Sequence, residues 1–364
     1  MVPMNGAENA LAEAVVPTPR AVPGAGVPAE RILAETRELT RPALRQAVAD
    51  CPESCARPVG LAVGLLDGDG NPVDGGGKMF RAALALAAAL GYRDDPRPGV
   101  AGAVAVELLH AYTLTHDDVM DGDRWRRGQP SVWAAHGLNV AILTGDVLYA
   151  LAQHTLAQHT LARRDAAGGA AAARYLSRAA VDVTYGQAQD LAMEPRPFLG
   201  PEAVSVDEYR EMTANKTGSV IGAALAIGGA LGGAGAEQTD ALWQAGRHLG
   251  VAFQAVDDQL GIWGEPSVTG KPVDSDLARR KKTIPVLAAV GSRPELAEAI
   301  ERFQPAGLPE LARALADAGG HAAARDEAAA QLDQARRMLD RAAPRPAARA
   351  RLDALIDFTA ARTA

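Results

Sequence analysis

Two aspartate-rich segments constrain this chain more than anything else in it. One reads Asp117-Asp118-Val119-Met120-Asp121, and the other opens Asp257-Asp258. Each ends an apolar, alanine-rich stretch whose hydrophobic residues recur at helical spacing. The fold should therefore bring two long helices to the mouth of a cavity. Residues four apart on a helix differ by about 40° in azimuth and one turn in height, so Asp117 and Asp121 face the same way. Like charges so placed repel and cost stability when nothing answers them. One such motif alone is better explained by a solvated acidic face. Two of them, each with basic residues nearby, favour Mg²⁺ ions that bridge hard oxygen ligands to a ligand carrying phosphates.

The lysines sharpen this reading. Of 37 cationic residues only five are lysine: Lys78, Lys216, Lys271, Lys281 and Lys282. A chain that uses arginine almost everywhere keeps lysine where a compact, flexible ammonium suits the chemistry, as in phosphate binding. Lys78 follows the run Gly75-Gly76-Gly77, Lys216 precedes Thr217-Gly218, and the other three follow the second acidic motif.

The same sequence excludes several classes. A formal charge of −7 with no basic stripe speaks against nucleic acid as a partner. Cys51 and Cys55 are the only cysteines, too few for a four-ligand zinc site and spaced for neither a disulfide framework nor a redox motif. They read as buried or idle thiols of a reducing cytoplasm. No basic-then-apolar leader is present, and the longest apolar run, around Ile221 to Ala236, is too short for a transmembrane segment. A cytoplasmic, soluble protein is expected.

Residues 1–28 are rich in Pro, Ala, Gly and Val without periodicity and read as a disordered extension, either a plain tail or a docking tag for a larger assembly. Helical periodicity starts near Glu30. Breaks fall near residues 67–77, 92–98, 122–130, 194–205, 264–275, 304–308 and 343–345. With aromatics at 4% of the chain, the core must be Ala, Leu and Val. Residues 29–364 are expected to form one all-α domain, a large helical bundle around a central cavity. The direct repeat Leu151-Ala152-Gln153-His154-Thr155 and Leu156-Ala157-Gln158-His159-Thr160 puts its histidines about 140° apart on a helix, so they share no metal.

Between Gly75 and Pro285 an ordered series of motifs accumulates. It comprises Glu107-Leu108-Leu109-His110, His116-Asp117-Asp118, Arg126-Arg127-Gly128, Gly186-Gln187-Ala188-Gln189-Asp190, Lys216-Thr217-Gly218 and Phe253-Gln254-Ala255-Val256-Asp257-Asp258. Gly270-Lys271-Pro272, Asp276 and Lys281-Lys282 complete it. In these residues the chain resembles the trans-isoprenyl diphosphate synthases, also called the polyprenyl synthetase family. That family joins isopentenyl diphosphate to an allylic diphosphate and releases inorganic diphosphate, usually as a homodimer.

The resemblance implies a role for each residue. Asp117, Asp121 and Asp257 would hold Mg²⁺, three ions with the allylic diphosphate bound. Asp118 and Asp258 would orient metal-bound waters and basic partners. Arg126, Lys216, Lys271 and Lys281 would add positive charge around the leaving diphosphate, and Thr217 and Gln254 would turn oxygen dipoles toward the allylic cation. Lys78 and Arg81, three apart on one helical face, would hold isopentenyl diphosphate with His110 and Arg127. Tyr112 and Thr113 would floor the product cavity. A single aromatic there resembles enzymes that stop at twenty carbons, with fifteen as the alternative.

Three positions depart from the family pattern. Gly261 stands where a third aspartate is common, which weakens the case for a tightly held third ion. Met79 removes a basic residue and Ala82 replaces a common proline, and weaker binding of isopentenyl diphosphate is the expected consequence. Two other readings compete. A class I terpene cyclase also ionises an allylic diphosphate, but has no use for a second diphosphate site. A non-catalytic subunit of a heteromeric synthase should have lost the first aspartate motif.

Overall fold

The computed structural model describes residues 26–75, 77–163, 166–264, 275–304 and 307–361. The expected extension over 1–28 lies almost wholly outside them. The chain runs α1 (Ala29–Ala49), α2 (Glu53–Ala62), α3 (Phe80–Leu90), α4 (Val100–Met120), a two-stranded hairpin of β1 (Trp125–Arg126) and β2 (Gln129–Pro130), α5 (Val132–His136), α6 (Leu138–Arg163), α7 (Ala166–Met193) and α8 (Val206–Thr213). A π-helical turn (Ala214–Gly218) leads into α9 (Ser219–Gly232) and α10 (Ala236–Trp263). Then come α11 (Ser275–Ala278), α12 (Ile284–Ser292), α13 (Glu295–Arg302), α14 (Leu308–Asp317), α15 (Gly320–Ala342) and α16 (Pro346–Ala360). The breaks expected at 67–77, 92–98, 122–130, 194–205 and 343–345 all fall between helices. The fold is all-α, as the periodicity required.

Local chemistry sets the helix ends. Ser205 caps α8, with its hydroxyl accepting from the Glu208 N–H and the Glu208 carboxylate answering the Ser205 N–H. Pro346 opens α16 at a position whose N–H would have no helical partner anyway. The hairpin's central residues, Arg127 and Gly128, both have positive φ (54° and 76°), the geometry of a type I′ turn.

The bundle is built around α9, in which all residues from Ser219 to Gly232 are buried, as a helix apolar on every side must be. Around it pack α3, α4, α7 and α10. Glycines let these helices approach backbone to backbone. A Cβ on Gly228 would lie 2.0 Å from the Ala85 carbonyl oxygen, and one on Gly246 would lie 2.4 Å from Gly222 Cα. This lock fixes α10 and α3 against α9, and so fixes what their ends carry. A smaller apolar cluster around Leu277, Val286, Ile300 and Leu315 supports the C-terminal helices. Ile221–Ala236, the longest apolar run of the sequence, falls mostly within buried α9. Among the described residues, the helix long and apolar enough by length and composition to cross a membrane is Leu138–Ala162 of α6, whose most apolar stretch is one-third buried and which packs on α4 and α7.

The glycine contacts predict an opposed pair of variants. Gly246→Ala should cost about 2–4 kcal/mol, because neither backbone can yield. Gly291→Ala, at the exposed C-terminal end of the otherwise buried α12 with nothing within 4 Å of the added carbon, should stabilise by about 0.5–1 kcal/mol. Thermal denaturation of the two variants checks both signs.

Candidate active site

A cleft of about 890 Å³ opens where the C-terminal ends of α4 and α7, the π-helical turn, α10 and the 279–283 loop converge. Its wall carries Asp121, Asp190, Lys216, Thr217, Gln254, Asp258 and Lys281. Asp117, one turn before Asp121, and Asp257, next to Asp258, are half-buried behind this rim. Lys271 lies outside the described residues.

The electrostatics of the α4 end are those of crowded negative charge. Burial pushes the Asp117 carboxyl up to about 6; Lys216 and Arg126 oppose the shift, while Asp121 and Asp190 reinforce it. The Lys216 ammonium lies 2.6 Å from Asp190 Oδ2. Its own pKa is raised: burial works against the charge, but Asp117, Asp190 and Asp121 together outweigh burial. Lys216 is thus held charged among three carboxylates. Asp118 is turned away from them, 4% exposed and paired with the Arg126 guanidinium, whose Nε donates at 2.7 Å. Burial raises its pKa against the pull of that partner.

On the opposite wall a chain of hydrogen bonds fixes the side chains. Thr217 Oγ1 donates to Gln254 Oε1 (3.2 Å), Gln254 Nε2 donates to Asp258 Oδ1 (2.9 Å), and the Tyr209 hydroxyl donates to Asp258 Oδ2 (2.8 Å). The Ile284 N–H reaches the same carboxylate at 3.3 Å. Asp258, 1% exposed, is therefore a fixed acceptor that orients the Gln254 amide, with its oxygen toward Thr217. The partners of Asp258 named here are a phenol, an amide and a backbone N–H.

A second, cationic cluster lies lower on α4. Arg81 Nη1 donates to His110 Nε2 at 3.1 Å, and since arginine has no acceptor, that nitrogen must carry the lone pair. Burial holds the His110 pKa well below its usual value, with Arg81, Arg127 and Arg126 adding to the effect, so the ring is neutral. Gly77 lets Arg127 close over the cluster: a Cβ there would sit 2.8 Å from Arg127 Nη1. Lys78 requires a correction. Met79 adopts a left-handed conformation (φ 53°) and α3 starts only at Phe80, so Lys78 and Arg81 do not share a helical face. The Lys78 ammonium instead lies 4.9 Å from the centre of the Phe358 ring. Met79 is buried and takes the Thr40 hydroxyl on its sulfur at 3.6 Å. Ala82 donates its N–H to Glu107 Oε1 at 3.0 Å, a bond that proline could not make.

Tyr112 packs edge-on to His116, ring centres 5.0 Å apart, and against Tyr149 of α6 at 5.7 Å. Thr113 directs its hydroxyl to the His110 carbonyl at 2.8 Å. Neither residue is part of the wall of the main cleft. Asp190, Tyr209 and Tyr149 carry contacts that sequence reading left without a role. The position of Asp190 at the end of the Gly186 motif was the one available signal.

Comparison with known proteins points the same way. A family model described as polyprenyl synthetase matches residues 71–314. The chain is 42% identical over 303 residues to a geranylgeranyl diphosphate synthase of Mycobacterium tuberculosis, spanning 81% of this chain and 84% of that one. It is also 42% identical over 257 residues to a (2E,6E)-farnesyl diphosphate synthase of that species, spanning 70% of this chain and 68% of the relative. The crystal structure of a polyprenyl synthetase from Streptomyces coelicolor shares the fold with a TM-score of 0.83 and 39% identity, covering 90% of this chain and 98% of the other.

The raised carboxyl makes a pH prediction. A free aspartate releases its proton near pH 4, whereas Asp117 holds its proton to about 6. Between those values the folded state binds more protons than the unfolded one, so this group removes stability as pH rises through the window. Without divalent metal, Asp117→Asn should be more stable than the parent at pH 7, by on the order of 2 kcal/mol, with the gain vanishing toward pH 4. Calorimetry in EDTA checks it; an Asn variant that melts lower at pH 7 contradicts it.

Proposed function

The chain belongs to the polyprenyl synthetase family and is a trans-prenyltransferase, and from that premise we propose that it condenses isopentenyl diphosphate with an allylic diphosphate in a Mg²⁺-dependent reaction that stops at twenty carbons. The observation that carries this reading is that two clusters of charged side chains lie along one helix, each suited to a diphosphate. His110, with Arg81 and Arg127, and Asp117, with Lys216, sit on α4 about 10 Å apart along its axis. A cyclase needs only the second of these.

Mg²⁺ fits the donors. They are hard carboxylate oxygens, with Asp121 and Asp190 close enough to Asp117 to act on its charge. Among the described residues no three ligands converge on one point. Mg²⁺ asks for none such, since it commonly takes one or two carboxylates and completes its shell with phosphate oxygens and water. Asp117 and Asp121 from one side and Asp257 from the other would hold it, and there it would supply positive charge to diphosphate oxygens.

The residues then divide the work. Lys216, Arg126 and Lys281 hold the allylic diphosphate and take up charge as the C–O bond breaks and its electron pair leaves with the diphosphate. Gln254 Oε1 and Thr217 Oγ1, fixed by Asp258, present oxygen dipoles to the cation. Arg81 and Arg127, with Lys78 at the entrance, hold isopentenyl diphosphate so that its double bond attacks the cation and forms the new C–C bond. A proton then leaves the adduct for the released diphosphate. Neutral His110 adds a hydrogen-bonding ring without adding charge. Met79, inside this region, supplies no cation and fits weaker binding of isopentenyl diphosphate.

The bulk of Tyr112, backed by Tyr149, supports the twenty-carbon limit. A homodimer is supported by apolar side chains left at the surface of α6 and α7, among them Leu143 and Tyr185, each 63% exposed. The free thiols of Cys51 and Cys55 suit a cytoplasmic setting.

Pure protein with Mg²⁺ or EDTA, isopentenyl diphosphate and allylic primers of five to twenty carbons tests the proposal by product mass. Linear alcohols released only by phosphatase, and only with Mg²⁺, are expected. Hydrocarbons formed without isopentenyl diphosphate would make the protein a cyclase. Tyr112→Ala should lengthen the products by at least one isoprene unit; an unchanged distribution removes Tyr112 as the stop.

A further inference from the structure

The π-helical turn Ala214–Gly218 is an irregularity in an otherwise continuous helical run from α8 into α9. Such a turn carries one residue more than an α-turn, and reverting it would rotate α8 by about 100° relative to α9. The two residues it presents to the cleft are Lys216 and Thr217. Their partners, Asp190 on α7 and Gln254 on α10, sit on different helices, so the turn must be held against both.

Two kinds of contact hold it. Gly186 of α7 lies so close that a Cβ would be 2.3 Å from the Lys216 nitrogen, and Gly250 of α10 so close that one would be 2.3 Å from Gly218 Cα. The other contact is polar and runs through Asn215, inside the turn. Its Nδ2 donates to Gln189 Oε1 of α7 at 3.1 Å, and its Oδ1 accepts from Arg247 Nη2 of α10 at 3.0 Å. Arg247 Nη1 then donates to Asp182 Oδ2 of α7 at 3.2 Å, and Arg178 stands 3.8 Å from the same carboxylate. One guanidinium thereby ties α10 to both α7 and the turn.

The spacing matches the site above it. Arg247 and Gln254 are seven residues apart on α10, as are Asp182 and Gln189 on α7, so each pair shares a stripe two turns apart. The arginine pair is largely buried, with side-chain exposures of 21% and 22%. Burial depresses the Arg247 pKa and Asp182 opposes that shift. A buried ion pair adds little net stability, and its better-attested use is to select one arrangement over others.

We propose that Arg247, acting through Asn215, is a positioning residue that sets the π-helical turn so that Lys216 and Thr217 meet the allylic diphosphate. This rests on the reading of Lys216 given under Proposed function. Arg247 is not part of the cleft wall and lies outside the Arg81–His110–Arg127 cluster.

The test is steady-state kinetics of Arg247→Met, Asn215→Ala and the double variant, with each substrate varied in turn and melting temperatures recorded alongside. Each single variant should raise KM for the allylic diphosphate about tenfold, the scale of a lost hydrogen bond to a charged group, while KM for isopentenyl diphosphate stays within about twofold. The double variant should be no worse than the poorer single one, because both cut the same link. A lower melting temperature with both KM values unchanged, an equal rise for both substrates, or additive losses in the double variant would overturn the proposal. If Arg247→Met fails to fold, the substrate split in Asn215→Ala decides alone. A parent enzyme that shows no condensation at all sinks the functional reading instead, so the two failures are told apart.

Discussion

Three carboxylates crowd around one ammonium at the mouth of this bundle, and much of the rest of the structure exists to keep them there. Asp117, Asp121 and Asp190 repel one another, and Lys216 and Arg126 offset that repulsion while burial still disfavours the Asp117 charge. They stay because the helices behind them are locked backbone to backbone through glycine, around a helix with no exposed face. The unfavourable site is held by packing remote from it.

That arrangement has a chemical consequence. One wall of the cleft sets three carboxylates around an ammonium, and the other sets fixed amide and hydroxyl dipoles. Arg126 pairs with Asp118 while still favouring the charged form of Asp117, and the Gln254 amide is oriented by Asp258. A few turns down α4 the charge reverses, with Arg81 and Arg127 around a neutral imidazole. On the proposed reading, these two charged clusters on one rigid helix define the spacing between two reacting groups.

Much of this was legible because it rests on short-range periodicity. Alanine-rich stretches at a helical repeat gave the helices, and the four-residue spacing of Asp117 and Asp121 gave their shared direction. What failed did so for local or long-range reasons. Lys78 looked helical because nothing in Lys78-Met79-Phe80 announces that Met79 turns left-handed, although the preceding glycines hinted at a break. Ala214 to Gly218 contains no interior breaker, so a π-helical turn there cannot be told from an α-turn by composition. The Tyr209–Asp258 and Asn215–Arg247 contacts join residues far apart in sequence and depend on tertiary packing alone. Arg127-Gly128 did carry a usable signal, a glycine in the second place of a tight hairpin.

The central claim is that one helix presents two diphosphate sites of opposite electrostatic design. A crystal structure with Mg²⁺, isopentenyl diphosphate and an allylic thiolodiphosphate that cannot ionise tests it most directly. The account predicts the thiolodiphosphate between Asp117 and Asp121 on one side and Asp257 on the other, in contact with Lys216. It places isopentenyl diphosphate on Arg81, His110 and Arg127. Both diphosphates in the upper cleft, or the allylic one seated at His110, would contradict it.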